Sequence, residues 1–482
     1  MELYLLTKPA NEDKSISHRL LRIKNTQWEL TGPWDLSNQS AIPDFACISY
    51  VWGPKSQHIA NSLHQGRKMS PWTLPSFAAA ISLAATTKSA EVAAFWIDAF
   101  CVPVAEPARA ATLASMGYIY SAAKEVIVAL MPERSFAIKE LSRSRGSDGL
   151  SDQSLQSLEN DEWIRSVWTY QEVVNSKQLY LTTTNMSDPN SIDGNTFLNR
   201  LGYSLEIYRK SRGLDQVDLR RIHPMLDAFD DLVSDWRISD YTERSAFQVM
   251  SNLDRRQVSE QKNYYYSMIG SIHKQPLERP PGLSMEGLIE TTMQLCEQKS
   301  DYSFIFCTAS RDNTPGRRWR PSREKLSSIL PWFSSGSRQS GRHDSAGLWL
   351  ERVICLQPLE IPTPTVSEEE INWNWLKELP DFISKRARGR PRQTVEQDIP
   401  DLLAALGFKG KRDFLRTDTG VFYPLEMPPS HSTPEVISSS EVYWMFGSPG
   451  LVRWKDRGTF TYSPGVYIGT VNRSQVSDCL LL

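Results

Sequence analysis

The amino-acid sequence predicts an α/β protein: a mainly parallel sheet flanked by helices, then a helical region, then a small C-terminal antiparallel sheet. Three observations carry this. Over roughly residues 40 to 185, short apolar runs rich in strand formers alternate with segments of helical periodicity, the pattern of strand-crossover-strand units. From about Gly194 to Cys296, amphipathic segments follow one another with no strand run between them. From Phe414 to Thr470 the chain carries short alternating runs, such as Val442 to Phe446, bounded by Gly and Pro.

The elements follow in order. Phe45 to Val51 predicts the first strand, and Phe77, Ile81, Ala84 and Ala85 recur at helical spacing between Leu74 and Phe95. Phe95 to Asp98 reads as a second buried strand. Pro107 opens a helix, as a first-turn proline permits, in which Leu113, Met116 and Tyr120 share one face. Val126 to Leu130 is the third strand. Ser135 to Asn160, rich in Ser and Gly, predicts a surface loop or weak helix. Trp163, Val167, Tyr170 and Val174 then recur at helical steps, and Gln178 to Thr182 reads as a fourth strand. Strands alternating with helices imply right-handed crossovers and a sheet covered on both faces. In the middle region, Met225 to Trp236, Thr242 to Arg255 and Ser284 to Glu297 predict helices. The expected division is 1–190 for the α/β domain, 191–300 for the helical region and 301–482 for a mixed region ending in a small β domain.

At 482 residues the chain exceeds one core. With 54 Lys+Arg against 56 Asp+Glu, the net charge of -2 gives no global field toward nucleic acid, membrane or acidic substrates, so binding must be local. The six cysteines lack metal or redox spacing and read as reduced thiols, with no metal site expected. The N-terminus has no leader pattern, and no run of about 18 apolar residues occurs, so a cytoplasmic protein without a membrane partner is expected. The run Lys385 to Arg392 is similar to an AT-hook. As a lone copy on a near-neutral chain it reads as a solvated linker, and nucleic acid is not expected as a partner.

Three motifs carry the chemistry. Tyr50-Val51-Trp52-Gly53 closes the first strand, Trp96-Ile97-Asp98-Ala99-Phe100-Cys101 closes the second, and Trp168-Thr169-Tyr170-Gln171-Glu172 lies on a helix. Loops at the C-terminal ends of parallel strands diverge and leave a crevice. Gly53 before Pro54 lets the backbone turn beside it, and Trp52 either lines a pocket or plugs the sheet edge. Asp98 is placed as a base, an acceptor or a helix cap. Glu172 is the best-placed acid, unless it pairs with Arg165, and Trp168 with Gln171 or Glu172 shares one helical face. Cys101 is a weaker nucleophile, because no His stands in a recognisable relation to it.

Together with the helix Met116 to Ala123 and the strand Glu125 to Ala129, these motifs resemble the fungal heterokaryon-incompatibility (HET) domain. Tyr264 to Met268 before Gly270, and Thr417-Asp418-Thr419-Gly420, are similar to segments further along such proteins. The resemblance implies a TIR-like fold and a role in self/non-self discrimination, with a death response triggered by a protein partner. The TIR comparison also implies NAD hydrolysis through a glutamate, Glu172 or Glu106, although no phosphate-cradling glycine motif is present.

One departure tilts the expectation elsewhere. Where HET domains run on into polar amides, Cys101 is followed here by Val102-Pro103-Val104-Ala105-Glu106-Pro107-Ala108. An apolar crevice suits an apolar guest. The expected function is therefore a cofactor-independent cyclase of a fungal natural-product pathway, of Diels-Alder [4+2] type, folding a terpenoid or polyene substrate between aromatic walls. Tyr50, Trp168, Gln171, Glu172 and Asp98 form its expected catalytic set, with Trp52, Gly53, Cys101 and Tyr120 binding substrate. The alternative is the incompatibility protein itself.

Overall fold

Three runs of apolar residues too continuous for a half-exposed sheet build the centre of the first of two units. The chain is described by a computed structural model over residues 2–9, 20–36, 38–64, 66–84, 92–143, 149–185, 190–237, 244–273, 275–277, 284–336, 338–359, 383, 392–470 and 475–482. One unit comprises Met1–Leu214, Asp218–Tyr241 and Arg256–Leu288, the other Asp215–Val217, Thr242–Arg255 and Ile289–Leu482.

The sheet of the first unit contains β1 (Glu2–Thr7), β2 (Leu20–Ile23), β3 (Thr26–Asp35), β4 (Phe45–Tyr50), β5 (Ala94–Ile97), β6 (Glu125–Leu130), β7 (Leu179–Thr183) and β8 (Ser191–Asp193). Its strand order is β8-β7-β6-β4-β5-β1-β3-β2. β4 pairs in parallel with β5 and β6, and β6 with β7. The outer pairs are antiparallel, so the sheet is mixed, with a parallel centre. Every residue of β4, β5 and β6 is buried, as the centre of a two-sided sheet requires. Among the parallel strands the spatial order is second, first, third, fourth. The chain leaves β4 to one side and returns on the other, and a crevice is expected at its C-terminal end.

The sequence does not predict β1 to β3, which alternate between buried and partly exposed positions at the sheet's margin. The stretch Ser135 to Asn160, read as a surface loop or weak helix, contains the helices Ser135–Arg143 and Asp152–Glu159. Ala137, Ile138, Leu141, Leu155 and Leu158 bury one face of them, and Ser151, which reads as a loop residue, caps the second by accepting from the Ser154 amide. The single helix predicted from Trp163 to Val174 is two, Glu162–Arg165 and Val167–Val174. Ser166 is extended between them, and Gln257 bonds the Arg165 carbonyl and the Val167 amide, a tertiary pairing that overrides helix propensity.

Downstream, Gly194–Ser211, Gln216–Ile222, Pro224–Asp230, Leu232–Arg237, Ala246–Leu253, Gln261–Ile272 and Met285–Gln298 are helical. Met225 to Trp236, predicted as one helix, is two. The second unit is built on an eight-stranded sheet that begins at Gly341–Asp344, far ahead of Phe414, and closes with Val476–Leu481 paired to Gly347–Leu356. Its core includes Ile354, Leu356, Phe422, Val436, Val452, Trp454 and Tyr467. The basic stretch 385–391 lies outside the described residues, and Arg392 begins the helix Arg392–Ala405. Among the described residues, no helix is long and apolar enough to cross a membrane.

Candidate active site at the end of β4

The chain leaves β5 directly into the four-residue helix Asp98–Cys101, which fixes the Asp98 carboxylate beside the end of β4. Asp98 Oδ1 accepts from the Tyr50 hydroxyl at 2.8 Å and from the Ala99 amide at 2.7 Å, while Oδ2 accepts from Trp52 Nε1 at 2.6 Å. Tyr50 in turn accepts from Thr73 Oγ1 at 3.1 Å. Of the three roles open to Asp98 in the sequence, the geometry displays that of acceptor. Burial raises its pKa, opposed by the Tyr50 and Trp52 hydrogen bonds and by the charge of Arg67.

The loops around Asp98 are tied down by side chains binding backbone. Gly53 has φ +68, and a Cβ there would meet nothing within 4 Å, so the turn and not the space selects glycine. His58 Nε2 lies 3.1 Å from the Trp52 carbonyl and 3.3 Å from that of Gly53. The ribbon of Ile59–Ala60 with Lys68–Met69 brings in Asn61, His64 and Arg67, which reach the carbonyls of Ala99, Phe100 and Val102.

A second carboxyl lies on the helix Val167–Val174. Glu172 Oε2 accepts from Ser49 Oγ at 2.5 Å, and Oε1 accepts from the Tyr120 hydroxyl at 3.1 Å. Trp163 Nε1 donates to Ser49 Oγ at 2.6 Å and lies 3.4 Å from Glu172 Oε2. Among the described residues no cation pairs with Glu172, and the ion pair with Arg165 that the sequence left open does not form. Burial raises the Glu172 pKa from 4.5 to about 7, the Ser49 and Tyr120 hydrogen bonds opposing and the Asp98 charge adding to it. A carboxyl titrating there can take or give a proton at neutral pH.

The structure thus gathers Tyr50, Trp52 and Asp98 into one cluster and Tyr120 and Glu172 into another, with the two carboxylates close enough to feel each other's charge. Gly53 borders the first. Cys101 is buried, Sγ accepting from the Ile97 amide at 3.5 Å, and burial pushes its pKa up to about 12, so it is a protonated core thiol. Trp168 stacks on Tyr266 with ring centroids 6.5 Å apart. Gln171 is fully buried, and its amide makes no hydrogen bond among the described residues. Glu106 is exposed, where it pairs with Arg109 and accepts from the Ala110 amide. Ser49, Thr73 and Trp163 were not singled out in the sequence. The signal for Ser49 was present, as the small hydroxyl that follows the apolar run from Phe45 to Ile48 and precedes Tyr50.

This is an α/β domain with two mutually aware acids at the point where the strand order reverses. Residues 45–172, from the first residue of β4 to Glu172 itself, match the family model described as Heterokaryon incompatibility protein (HET). The matched segment is a HET domain and lies within the first unit. Neither the curated proteins nor the solved structures yield a match.

Proposed function

We propose that the chain is a heterokaryon-incompatibility protein whose domain at 45–172 drives a cell-death response on contact with a non-self protein partner. One observation carries this reading. The motif residues Tyr50, Trp52, Asp98 and Glu172 of the matched segment form paired acid clusters at the strand ends, with the Glu172 proton poised near neutrality. That arrangement suits proton transfer to a polar substrate. The finer, TIR-like reading of glutamate-dependent NAD hydrolysis falls on Glu172, since Glu106 is exposed and held by Arg109. The cyclase reading has no comparable support. Of the catalytic set expected for it, Tyr50 donates its proton to Asp98, and the Gln171 amide is closed off from solvent.

The test is controlled overexpression in a fungal host. Growth arrest by the wild-type chain, relieved by Glu172→Gln, is the expected result, and a healthy culture at confirmed expression overturns the proposal. Falling NAD in the arrested cells supports hydrolysis, whereas arrest at constant NAD restricts the role to signalling.

A further inference from the structure

The helix Gln261–Ile272 lies outside the segment 45–172, yet it touches both helices that make the Glu172–Tyr120 hydrogen bond. Against the helix Val167–Val174, Tyr266 stacks on Trp168 and Ser267 Oγ donates to the Val167 carbonyl at 2.8 Å. Further along, Asn175 Nδ2 donates both to the Gln171 carbonyl at 2.9 Å and to the Gly270 carbonyl at 2.8 Å. Against the helix Met116–Ala122, which carries Tyr120, the contact is backbone to backbone. A Cβ on Gly117 would lie 1.8 Å from the Gly270 oxygen.

Gln171 closes the junction. A Cβ on Gly270 would lie 1.8 Å from Gln171 Oε1, so the amide occupies the space that the missing side chain leaves. Among the described residues the fully buried amide finds no hydrogen-bond partner, a costly state that apolar packing alone would not select. Its oxygen faces the Cα–H of Gly270, a weak contact open only to a residue without a side chain.

We infer that the helix Gln261–Ile272 is a working part of the acid site, and that Gly270 is a positioning residue whose close fit against the Gln171 amide lets this helix set Glu172 against Tyr120. The donor and the acceptor of one hydrogen bond sit on separate helices, and this third helix fixes both. A chain ending with the matched segment would lack that brace. The inference holds whatever reaction or signal the site serves, because its readout is the proton affinity of Glu172.

The experiment uses the full chain with 13C-labelled glutamate, the Glu172 carboxyl being assigned by Glu172→Gln and followed by NMR against pH. Gly270→Ala sets a methyl on Gln171 Oε1. The Glu172 midpoint is expected to fall by about one pH unit or more, because a displaced helix admits water to the carboxylate. Combining Gly270→Ala with Gln171→Ala removes the overlap and should restore the wild-type midpoint, the remaining contact to the Gly117 nitrogen at 3.0 Å being tight but tolerable. A folded Gly270→Ala chain with an unmoved midpoint overturns the inference, as does a double variant shifted as far as the single. Should Gly270→Ala not fold, Ser267→Ala, which adds no atoms, decides it: a lowered midpoint supports the brace and an unchanged one refutes it.

Discussion

Ser49 Oγ and Glu172 Oε2 lie 2.5 Å apart, joining the end of β4 to a helix 123 residues later in the chain. The hydroxyl donates to the carboxylate while accepting from Trp163 Nε1, so one small side chain links an acid to an indole inside the core. Ser49→Ala leaves the indole only its long 3.4 Å approach to the carboxylate. A loss of about 1–3 kcal/mol is expected in urea unfolding, the range for orphaning a buried polar group. Since the Ser49 bond holds the Glu172 pKa down, its removal should also raise the carboxyl midpoint. A lower midpoint in the variant would contradict the hydrogen bond as drawn.

Stability should depend on pH through Glu172. Its folded pKa of about 7 stands above the ordinary 4.5, so between these values the native state holds a proton that the unfolded chain has released. This contribution is fully present below pH 4.5 and is lost as pH rises toward 7. Its upper bound is roughly 3 kcal/mol by linkage. Glu172→Gln carries no such proton. Urea midpoints at acid and alkaline pH should therefore converge for the variant more than for the wild type, and parallel pH profiles would refute the assignment.

Asp98→Asn tests whether the two acids are electrostatically linked. The Asp98 charge raises the Glu172 pKa, so neutralising it should lower the Glu172 midpoint. The asparagine amide must also present an N–H group to one of the donors now served by the carboxylate, with Trp52 Nε1 or the pair of Tyr50 and Ala99 losing its acceptor. A destabilisation of about 1–3 kcal/mol follows from that mismatch. A carboxyl NMR titration of the variant with an unmoved Glu172 would separate the clusters.

What was legible in the sequence follows from what is local. β4, β5 and β6 were readable because a strand buried on both faces spells itself as an apolar run, and Asp98 and Glu172 because acids at such strand ends and helix faces stand out. The break at Ser166 was not readable, since Gln257, a residue 91 positions away, makes it. The helices of 135–159 were hidden by serines that act as caps and turn-formers equally well, Ser151 among them. Trp163 was visible only as one position of a helical face, because its partner Ser49 lies 114 residues upstream. Gln171 shows the same limit from the other side. Its spacing from Trp168 placed it on a helical face of the expected catalytic set, and only the approach of Gly270 reveals an amide sealed in a helix junction.

Two glycines of the matched segment should respond to alanine in opposite measure. Gly53 sits at φ +68 with open space around it, so Gly53→Ala introduces left-handed backbone strain and nothing else, about 1–2 kcal/mol. Gly117 has no such angle but meets Gly270 backbone to backbone. A Cβ there would lie 1.8 Å from a carbonyl oxygen and 2.5 Å from its carbon, and no side chain can swing away to relieve it. The helix Met116–Ala122 must move as a whole, taking the Tyr120 hydroxyl off Glu172. Gly117→Ala is therefore expected to lower the thermal unfolding midpoint several times further than Gly53→Ala, and to lower the Glu172 carboxyl midpoint, because burial is the largest cause raising it and water reaching the carboxylate outweighs the lost Tyr120 hydrogen bond; Gly53→Ala should leave that midpoint nearly in place. Equal losses from the two variants would mean that the Gly117–Gly270 contact yields easily, and that the acid site is held by the sheet alone.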